Sequence, residues 1–333
     1  MNNSRPSEII HIFFSVDIIG STAFKHSKIS NKWVKTFNQF FTTFPDILRN
    51  NHIHKSQEFG CDNKTLQLEM WKTIGDEIVF QQQISNPLDA LFLTDVFKTT
   101  LIQYRKTLLA ESAYDNISLK GSGWVALTNQ INSEIFINND VDYIGPTIDT
   151  GFRISKLATD RKFTLSIELA LILLSCFNNN NNCNFNNFEN RFIYYFDGEK
   201  RLKGVLGNRP YPIVWLDTFD GGDVKDNLKG YNRAPCQMLQ LKSYLIEYAK
   251  KVENDPSQLN ECSFLIPDFI RDHYSAQLPK WYENILVKIS DDDDLTEKRF
   301  ETLNEDIEPE QIDSKISDEI KEQTISKIKL RKR

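Results

Sequence analysis

The sequence predicts a folded domain of the α/β or α+β class, built on one mixed β-sheet. β-branched and aromatic runs alternate along the chain with amphipathic helical stretches, which is typical of a sheet covered by helices. The alternation follows no strict repeat. At 333 residues the chain can bury a substantial core, and it suits one domain of roughly 200 residues with a smaller appendage.

The first half of the chain predicts a strand, a helix, a hairpin and a second helix. Residues 9–17, IIHIFFSVD, indicate a buried strand, and an amphipathic helix follows the IGS turn up to about residue 50. Two hairpin arms are expected at 66–71 and 77–82, on either side of the turn in KTIGDE. Apolar residues with helical spacing predict a helix over about 87–110.

The second half predicts shorter elements and then a helical region. Strands are expected at 116–128, 162–167, 191–196 and 211–216. Helices are expected at 147–158, 168–176, 235–252 and 264–288.

Three segments follow from this order. Residues 1–218 form the main domain, with an asparagine-rich loop insertion at 178–190 that cannot bury enough surface to order itself. Residues 219–290 form a helical C-terminal extension, and 291–333 form a charged tail.

The composition argues against nucleic-acid binding, a disulfide framework and membrane insertion. The net charge of −6 gives no overall field that would attract a polyanion. The five cysteines are widely spaced, without a CxxC pair. No stretch reaches the roughly 18 apolar residues of a membrane span, and the N-terminal residues MNNSRPSEII lack a secretory pattern. We therefore expect a cytoplasmic protein that binds neither nucleic acid nor a membrane.

Two aspartates stand at the ends of predicted strands. Asp17 ends the first strand, and Asp76 follows a glycine in the hairpin turn. Each alone is an ordinary turn acid. If the two strands are neighbours, the carboxylates can lie side by side and hold two divalent metal ions for in-line phosphoryl transfer. Gly20, Ser21 and Thr22 lead into the next helix, and backbone N–H groups at such a helix start can cradle phosphates.

Two further segments carry candidate ligand contacts. In DVDYIGPTIDTGFRIS, Asp149 and Arg153 are four residues apart and share one helical face, where they can reach one ligand or simply pair as surface ions. Asp142 lies just upstream of them. Lys203, in EKRLKG, precedes a glycine between two strands and is either a solvated lysine or a phosphate contact.

These motifs, taken in order, resemble the class III nucleotidyl cyclase family. The similarity lies in FxVDIIGST, KTIGDE, DxxGxxxDxxxR and LKG, and it covers about residues 9–216. Within that family the chain looks most like the bacterial pyrimidine cyclases of the Pycsar antiphage systems. The resemblance implies an α+β fold, with a ferredoxin-like βαββαβ core, a mixed or antiparallel sheet and flanking helices.

The resemblance also implies roles for the phosphate-transfer residues. Asp17, Asp76 and the Ile18 carbonyl would hold two Mg²⁺ or Mn²⁺ ions per site. Arg153 would neutralise the transition-state phosphoryl oxygens, and Lys203 would be a second phosphate cation. Asp149 stands where many family members have a ribose-positioning asparagine, so its carboxylate would add negative charge there.

Lys72 and Asp142 match the family's base-reading pair. A lysine donor and a carboxylate acceptor can serve adenine, cytosine or uracil, so size must decide between a purine and a pyrimidine. Trp71 and Phe59 are candidates for filling the pocket, and each can equally be sheet packing.

The implied function is cyclisation of UTP, which is favoured, or CTP to the 3′,5′-cyclic monophosphate, a second messenger read by a separate effector. The resemblance further implies a homodimer, because in this family one protomer supplies the metal acids and the other supplies the base, ribose and arginine contacts. The alternatives are an adenylate cyclase and a nucleotide-binding pseudocyclase.

Overall fold

The computed structural model describes residues 9–26, 32–59, 66–110, 117–128, 131–137, 140–176, 192–218 and 235–253. The chain divides into two compact units, Met1–Gln277 and Leu278–Arg333, and every described residue belongs to the first. The predicted loop 178–190, the predicted helix 264–288 and the charged tail lie outside the described residues.

The described chain contains nine strands and six α-helices. The strands are β1 Ile10–Ile19, β2 Glu69–Ile74, β3 Glu77–Ile84, β4 Ser118–Leu127, β5 Ser133–Ile137, β6 Asp140–Ile144, β7 Lys162–Leu165, β8 Tyr194–Arg201 and β9 Pro210–Asp217. The helices are α1 Ser21–Lys25, α2 Lys32–Phe59, α3 Pro87–Ala110, α4 Pro146–Ser155, α5 Ile167–Ser175 and α6 Met238–Glu253.

Seven strands form one mixed sheet in the order β2-β3-β1-β4-β7-β9-β8, and β5 pairs with β6 in a separate hairpin. β1 is antiparallel to both β3 and β4, whereas β4 and β7 are parallel. The first four strands and their helices therefore follow the ferredoxin-like βαββαβ order. The predicted α+β class with a mixed sheet is confirmed.

The predicted elements that fall on described residues are present, with shifted ends. The first long helix was expected to end near residue 50, but α2 continues to Phe59 and tolerates Pro45 within it. The first hairpin arm was expected at 66–71, whereas β2 begins at Glu69 and runs on to Ile74. None of the helices that the structure describes combines the length and apolar character needed to cross a bilayer.

The core lies on both faces of β1, because successive strand residues point to opposite sides. Phe14 stacks on Phe97 of α3 with ring centroids 4.8 Å apart. Phe13 stacks on Trp124 of β4 at 5.7 Å. Helix α4 packs directly on Trp124, since a Cβ added at Gly151 would lie 2.2 Å from the indole. This close packing fixes α4, which carries two of the candidate residues.

The first helix of the predicted C-terminal extension packs against the sheet. Just before α6, the Cys236 N–H donates to the Tyr194 carbonyl on β8 at 2.8 Å. Within α6, the hydroxyl of Tyr244 donates to Glu199, and that of Tyr248 donates to the Pro210 carbonyl. Cys236 and helix α6 thus cover the β8 side of the sheet.

Glu168 is an acid buried in the first turn of α5. Its Oε2 atom has no hydrogen-bond partner among the described residues, and burial raises its pKa to about 7. The folded chain therefore binds a proton on the Glu168 carboxyl group more tightly than the unfolded chain does. The free energy of unfolding falls as pH rises from 4.5 to about 7.

We expect Glu168→Gln to flatten this pH dependence. Between pH 5 and pH 8, the wild type should lose on the order of 3 kcal/mol more unfolding free energy than the variant. Denaturant unfolding at both pH values measures the difference, and Glu247→Gln on the exposed face of α6 is the matched control. Equal pH slopes for the wild type and Glu168→Gln would contradict the prediction.

Candidate functional site

Asp17 and Asp76 meet in one cleft. β1 and β3 are neighbours, and their register sets Asp17 opposite Glu77. Asp76 immediately precedes Glu77 in the two-residue turn between β2 and β3, where Gly75 adopts a φ of 65° that favours glycine. Both aspartates line a cleft of about 630 Å³. Asp76 is therefore a turn residue and also a member of the site.

The cleft places the predicted phosphate-binding residues beside the two acids. Its lining includes Ile18, Gly20, Ser21 and Thr22, at the junction of β1 and α1. Gly20 precedes α1 with a φ of 79° and supplies no side-chain cap to its first turn. Further lining residues are Ile19, Ser118, Lys120, Ala158, Thr159 and Asp160.

Each acid has a lysine partner that sequence reasoning missed. Lys120 lies opposite Asp17 in the β1–β4 register, and its Nζ is 2.9 Å from Asp17 Oδ2. Lys25 Nζ lies 3.4 Å from Asp76 Oδ1. The Lys25 contact is long and partly exposed, so it is worth at most about 1 kcal/mol and is easily displaced. The sequence carries one signal for Lys120, because the LKG of residues 202–204 also occurs at 119–121.

The electrostatics of Asp17 reflect its neighbours. Burial raises its pKa, Lys120 lowers it, and the Asp76 carboxylate raises it further. Glu77 lies on the other side of Asp17 and accepts a hydrogen bond from the Ser15 hydroxyl. Burial raises the pKa of Glu77, the Ser15 hydrogen bond lowers it, and the Asp17 carboxylate raises it. This concentration of negative charge favours the binding of cations.

The donor set fits a hard divalent cation. Mg²⁺ and Mn²⁺ prefer carboxylate and carbonyl oxygens, which Asp17, Asp76 and the Ile18 main chain can provide. In the part of the chain that the structure describes, no group of three or more His, Cys, Asp or Glu residues forms a metal cluster. The candidate metal ligands are therefore a carboxylate pair with one carbonyl.

Lys72 and Asp142 form a second cluster. Lys72 Nζ on β2 lies 2.6 Å from Asp142 Oδ1 on β6. The same oxygen accepts the Tyr143 backbone N–H at 2.9 Å. Trp71 packs edge-on against Phe13 and Tyr143, with centroid distances of 5.1 and 5.2 Å. Phe59 has no described side chain, so its predicted role stays untested.

Asp149 and Arg153 lie on α4, in its first and last turns. Asp149 is exposed and Arg153 is half-exposed. Within the described ranges no ion pair joins them, so the surface pairing that their spacing allows is not formed. Both side chains remain available to a ligand.

Lys203 is exposed in the turn between β8 and β9. In the sheet order β8 is four positions from β1, roughly 19 Å across at the usual strand spacing. Among the described residues that line the acid cleft, none of Lys72, Asp142, Asp149, Arg153 or Lys203 is present. One chain thus brings the acids together and separately pairs Lys72 with Asp142, but it does not gather every predicted site residue in this cleft.

The comparisons with known proteins found similarity in structure and none in sequence. No protein-family model matches the sequence, and no curated protein matches it. The structure is similar to that of the adenylyl cyclase CyaB from P. aeruginosa, with a TM-score of 0.45 and 12% identity over 63% of this chain and 94% of that one.

Two further solved structures give similar values. They are the guanylyl cyclase Cya2 (TM-score 0.45, 13% identity, 65% of this chain and 94% of that one) and the guanylate cyclase domain of RhGC from Catenaria anguillulae in complex with GTP (0.41, 15%, 63% and 96%). At these identities the similarity concerns the fold alone, and the α+β class rests on the sheet order of the chain itself.

The acid pair predicts metal-dependent stability. Mn²⁺ at about 100 times its dissociation constant should stabilise the wild type by about 2.7 kcal/mol. The double variant Asp17→Asn, Asp76→Asn should show no such gain, because its amides lack the negative charge that holds the cation. Thermal unfolding with and without Mn²⁺ measures the effect.

The control is Asp46→Asn, Asp140→Asn, which removes the same charge from exposed positions outside the cleft. This control should keep the stabilisation by Mn²⁺. An equal gain for the Asp17, Asp76 double variant would remove the cleft from metal binding.

Proposed function

We propose that the chain is a nucleotide cyclase, which converts a nucleoside triphosphate to its 3′,5′-cyclic monophosphate and diphosphate. The observation that carries the proposal is that Asp17 and Asp76, 59 positions apart in sequence, line one cleft beside the β1–α1 junction. Paired carboxylates beside uncapped backbone N–H groups suit a metal-bound triphosphate. The order of the four motifs agrees with this chemistry.

The metal ligands are Asp17, Asp76 and the Ile18 carbonyl. Two bound Mg²⁺ or Mn²⁺ ions would lower the pKa of the ribose 3′-hydroxyl and neutralise charge on the triphosphate. The 3′-hydroxyl releases its proton to water, its oxygen bonds to the α-phosphorus, and the bond from the α-phosphorus to the diphosphate oxygen breaks. Lys25 and Lys120 are ion-paired with the two acids, so their ammonium groups can turn to phosphate oxygens when the triphosphate binds.

Arg153 is the proposed transition-state cation. It is half-exposed and not ion-paired with Asp149 among the described residues, and its planar guanidinium can donate to two phosphoryl oxygens at once. Lys203 is the proposed second cation. In this proposal the Asp149 carboxylate accepts a hydrogen bond from a ribose hydroxyl, and it also places a further negative charge near the phosphates.

The proposed substrate is a pyrimidine nucleoside triphosphate, with UTP favoured over CTP. Lys72 and Asp142 already touch at 2.6 Å, and Trp71, Phe13 and Tyr143 pack beside them. A base must enter between the lysine and the carboxylate, and a purine needs more room beside the surrounding rings than a pyrimidine does. ATP is the second candidate, because the same donor and acceptor can bind adenine.

The proposed active assembly is a homodimer with two sites at the interface. Within one chain the acid cleft lacks the base-reading and arginine residues. The hairpin of β5 and β6 and the neighbouring strand β2 also expose apolar side chains to solvent, which is typical of an interface. These side chains are Met70, Ile74, Phe136, Ile137, Val141 and Ile144.

The proposed biological role is antiphage signalling. The cyclic nucleotide would be a second messenger in the cytoplasm, read by a separate effector with a cyclic-nucleotide-binding domain. The likeness of the WKTIGDE and DYIGPxID forms to the Pycsar cyclases supports this role. A pseudocyclase is disfavoured, because Asp17, Asp76 and Arg153 are all retained.

Incubation with each of the four ribonucleoside triphosphates and Mn²⁺ tests the activity. Chromatography should reveal cyclic UMP as the main product, and Asp76→Asn should form at least 100-fold less because it removes a metal ligand, a loss of about 2.7 kcal/mol or more. Its thermal unfolding should stay close to that of the wild type. Cyclic AMP alone would reject the pyrimidine substrate, and no product from any nucleotide would favour a pseudocyclase.

Mixing two inactive variants tests the shared site. If Asp76 and Arg153 come from different protomers, a 1:1 mixture of Asp76→Asn and Arg153→Ala should recover about a quarter of wild-type activity. Half of the dimers are then mixed, and each mixed dimer keeps one intact site of two.

The control mixture combines Asp76→Asn with Asp17→Asn. These acids belong to the same half of the site, so no activity should return. Recovery in the control, or none in the test mixture, would contradict the proposed division of residues.

A further inference from the structure

Strand β2 has a bulge at Trp71. Its pairing with β3 sets Met70 opposite Phe80 and Lys72 opposite Val79, so Trp71 is an extra residue without a partner of its own. In a regular strand the side chains of Trp71 and Lys72 would point to opposite faces, whereas a bulge re-aims a side chain. Here both side chains contact the β5–β6 hairpin.

The indole of Trp71 ties β2 to that hairpin. Its Nε1–H donates to the Val141 carbonyl at 3.2 Å, and its ring packs edge-on against Tyr143. Val141 and Tyr143 directly flank Asp142. The indole therefore contacts both neighbours of the carboxylate that is proposed to read the base, the backbone of one and the ring of the other.

The same indole also holds the lysine of the pair. Lys72 Nζ lies 3.9 Å from the centroid of the Trp71 ring, within the range of a cation–π contact. It lies 2.6 Å from Asp142 Oδ1 at the same time. The ammonium is thus confined between an aromatic face and a carboxylate, although its stem has four rotatable bonds.

We propose that Trp71 is a positioning residue, which sets where Lys72 and Asp142 meet the nucleobase and so decides which bases bind. This inference rests on the proposed nucleotide-binding function. Ordering a free lysine costs side-chain entropy, and the indole removes most of that cost before the base arrives. A lysine held in one position can donate only to a base whose acceptor atom lies within its reach, whereas a mobile lysine can adapt to several bases.

A double-mutant cycle tests this inference on the full chain. The ligands are 3′-deoxy-UTP and 3′-deoxy-ATP with Mn²⁺, which lack the hydroxyl needed for cyclisation. Trp71→Leu should raise the Kd for 3′-deoxy-UTP by about tenfold, the size expected for losing a cation–π contact and a hydrogen bond. It should also bring the two Kd values closer together.

In a Lys72→Met background, Trp71→Leu should raise the Kd by no more than about threefold, because the lysine contact is already gone and only the tie to Asp142 remains to be lost. Trp71→Phe keeps a ring and should fall between the wild type and Trp71→Leu. A tenfold loss that persists in the Lys72→Met background would show that Trp71 only packs, and would overturn the inference.

A second measurement needs no nucleotide. In protein labelled with ¹³C-lysine, the ε-methylene protons of Lys72 should resonate upfield because they are bonded next to Nζ, which lies over the indole. The signal is assigned by its loss in Lys72→Arg, and Trp71→Leu should abolish the shift while Trp33→Leu on α2 keeps it. An unshifted Lys72 signal in the wild type would overturn the placement of the lysine.

The two proposals fail in different ways. Intact binding of the analogues without cyclisation of any nucleotide would overturn the cyclase activity and leave the role of Trp71 standing, because the cycle measures binding. Binding of neither analogue by the wild type would overturn both the nucleotide site and the base-selecting role.

Discussion

The position of β1 between β3 and β4 is the constraint on which the rest of the site depends. This pairing sets Asp17 opposite Glu77 on one side and opposite Lys120 on the other, and it brings the turn that carries Asp76 against the end of β1. A slip of one residue would turn Asp17 to the opposite face. The slip would also exchange Phe13 and Phe14, whose rings belong to different halves of the core. The packing of the core and the chemistry of the cleft are therefore held by the same register.

Much of the fold could be predicted because its signals are local. The β-branched and aromatic runs, the Gly75 turn and the helical spacing of α3 each mark an element within a few residues. The order of strands in the sheet is not local, and only the family resemblance suggested it. The predicted ends of α2 and β2 were wrong, because α2 continues to Phe59 and the pairing of β2 with β3 runs on to Ile74, next to the turn.

The candidate site was predictable to the extent that it lies in contiguous motifs. Asp17, Asp76, Lys72 and Asp142 were named from such motifs, and the structure brings them together in pairs. Lys120 and Lys25 were missed because their partners are set by strand register and by the path of a short helix. The bulge at Trp71 was equally invisible, since an unpaired residue in a strand has no distinctive composition.

The docking of α6 has a consequence for how the sheet can grow. A sheet has two free margins where a further strand can add, and unprotected margins invite aggregation. At the β8 edge, the Cys236 N–H donates to a strand carbonyl, and the two tyrosines of α6 donate to the Glu199 carboxylate and to the Pro210 carbonyl. Truncation after residue 218 would remove α6, expose this edge of the sheet and make it prone to aggregation. Among the described residues, α6 therefore protects one edge of the sheet, whereas no described strand pairs with the outer side of β2, the strand that carries Trp71 and Lys72.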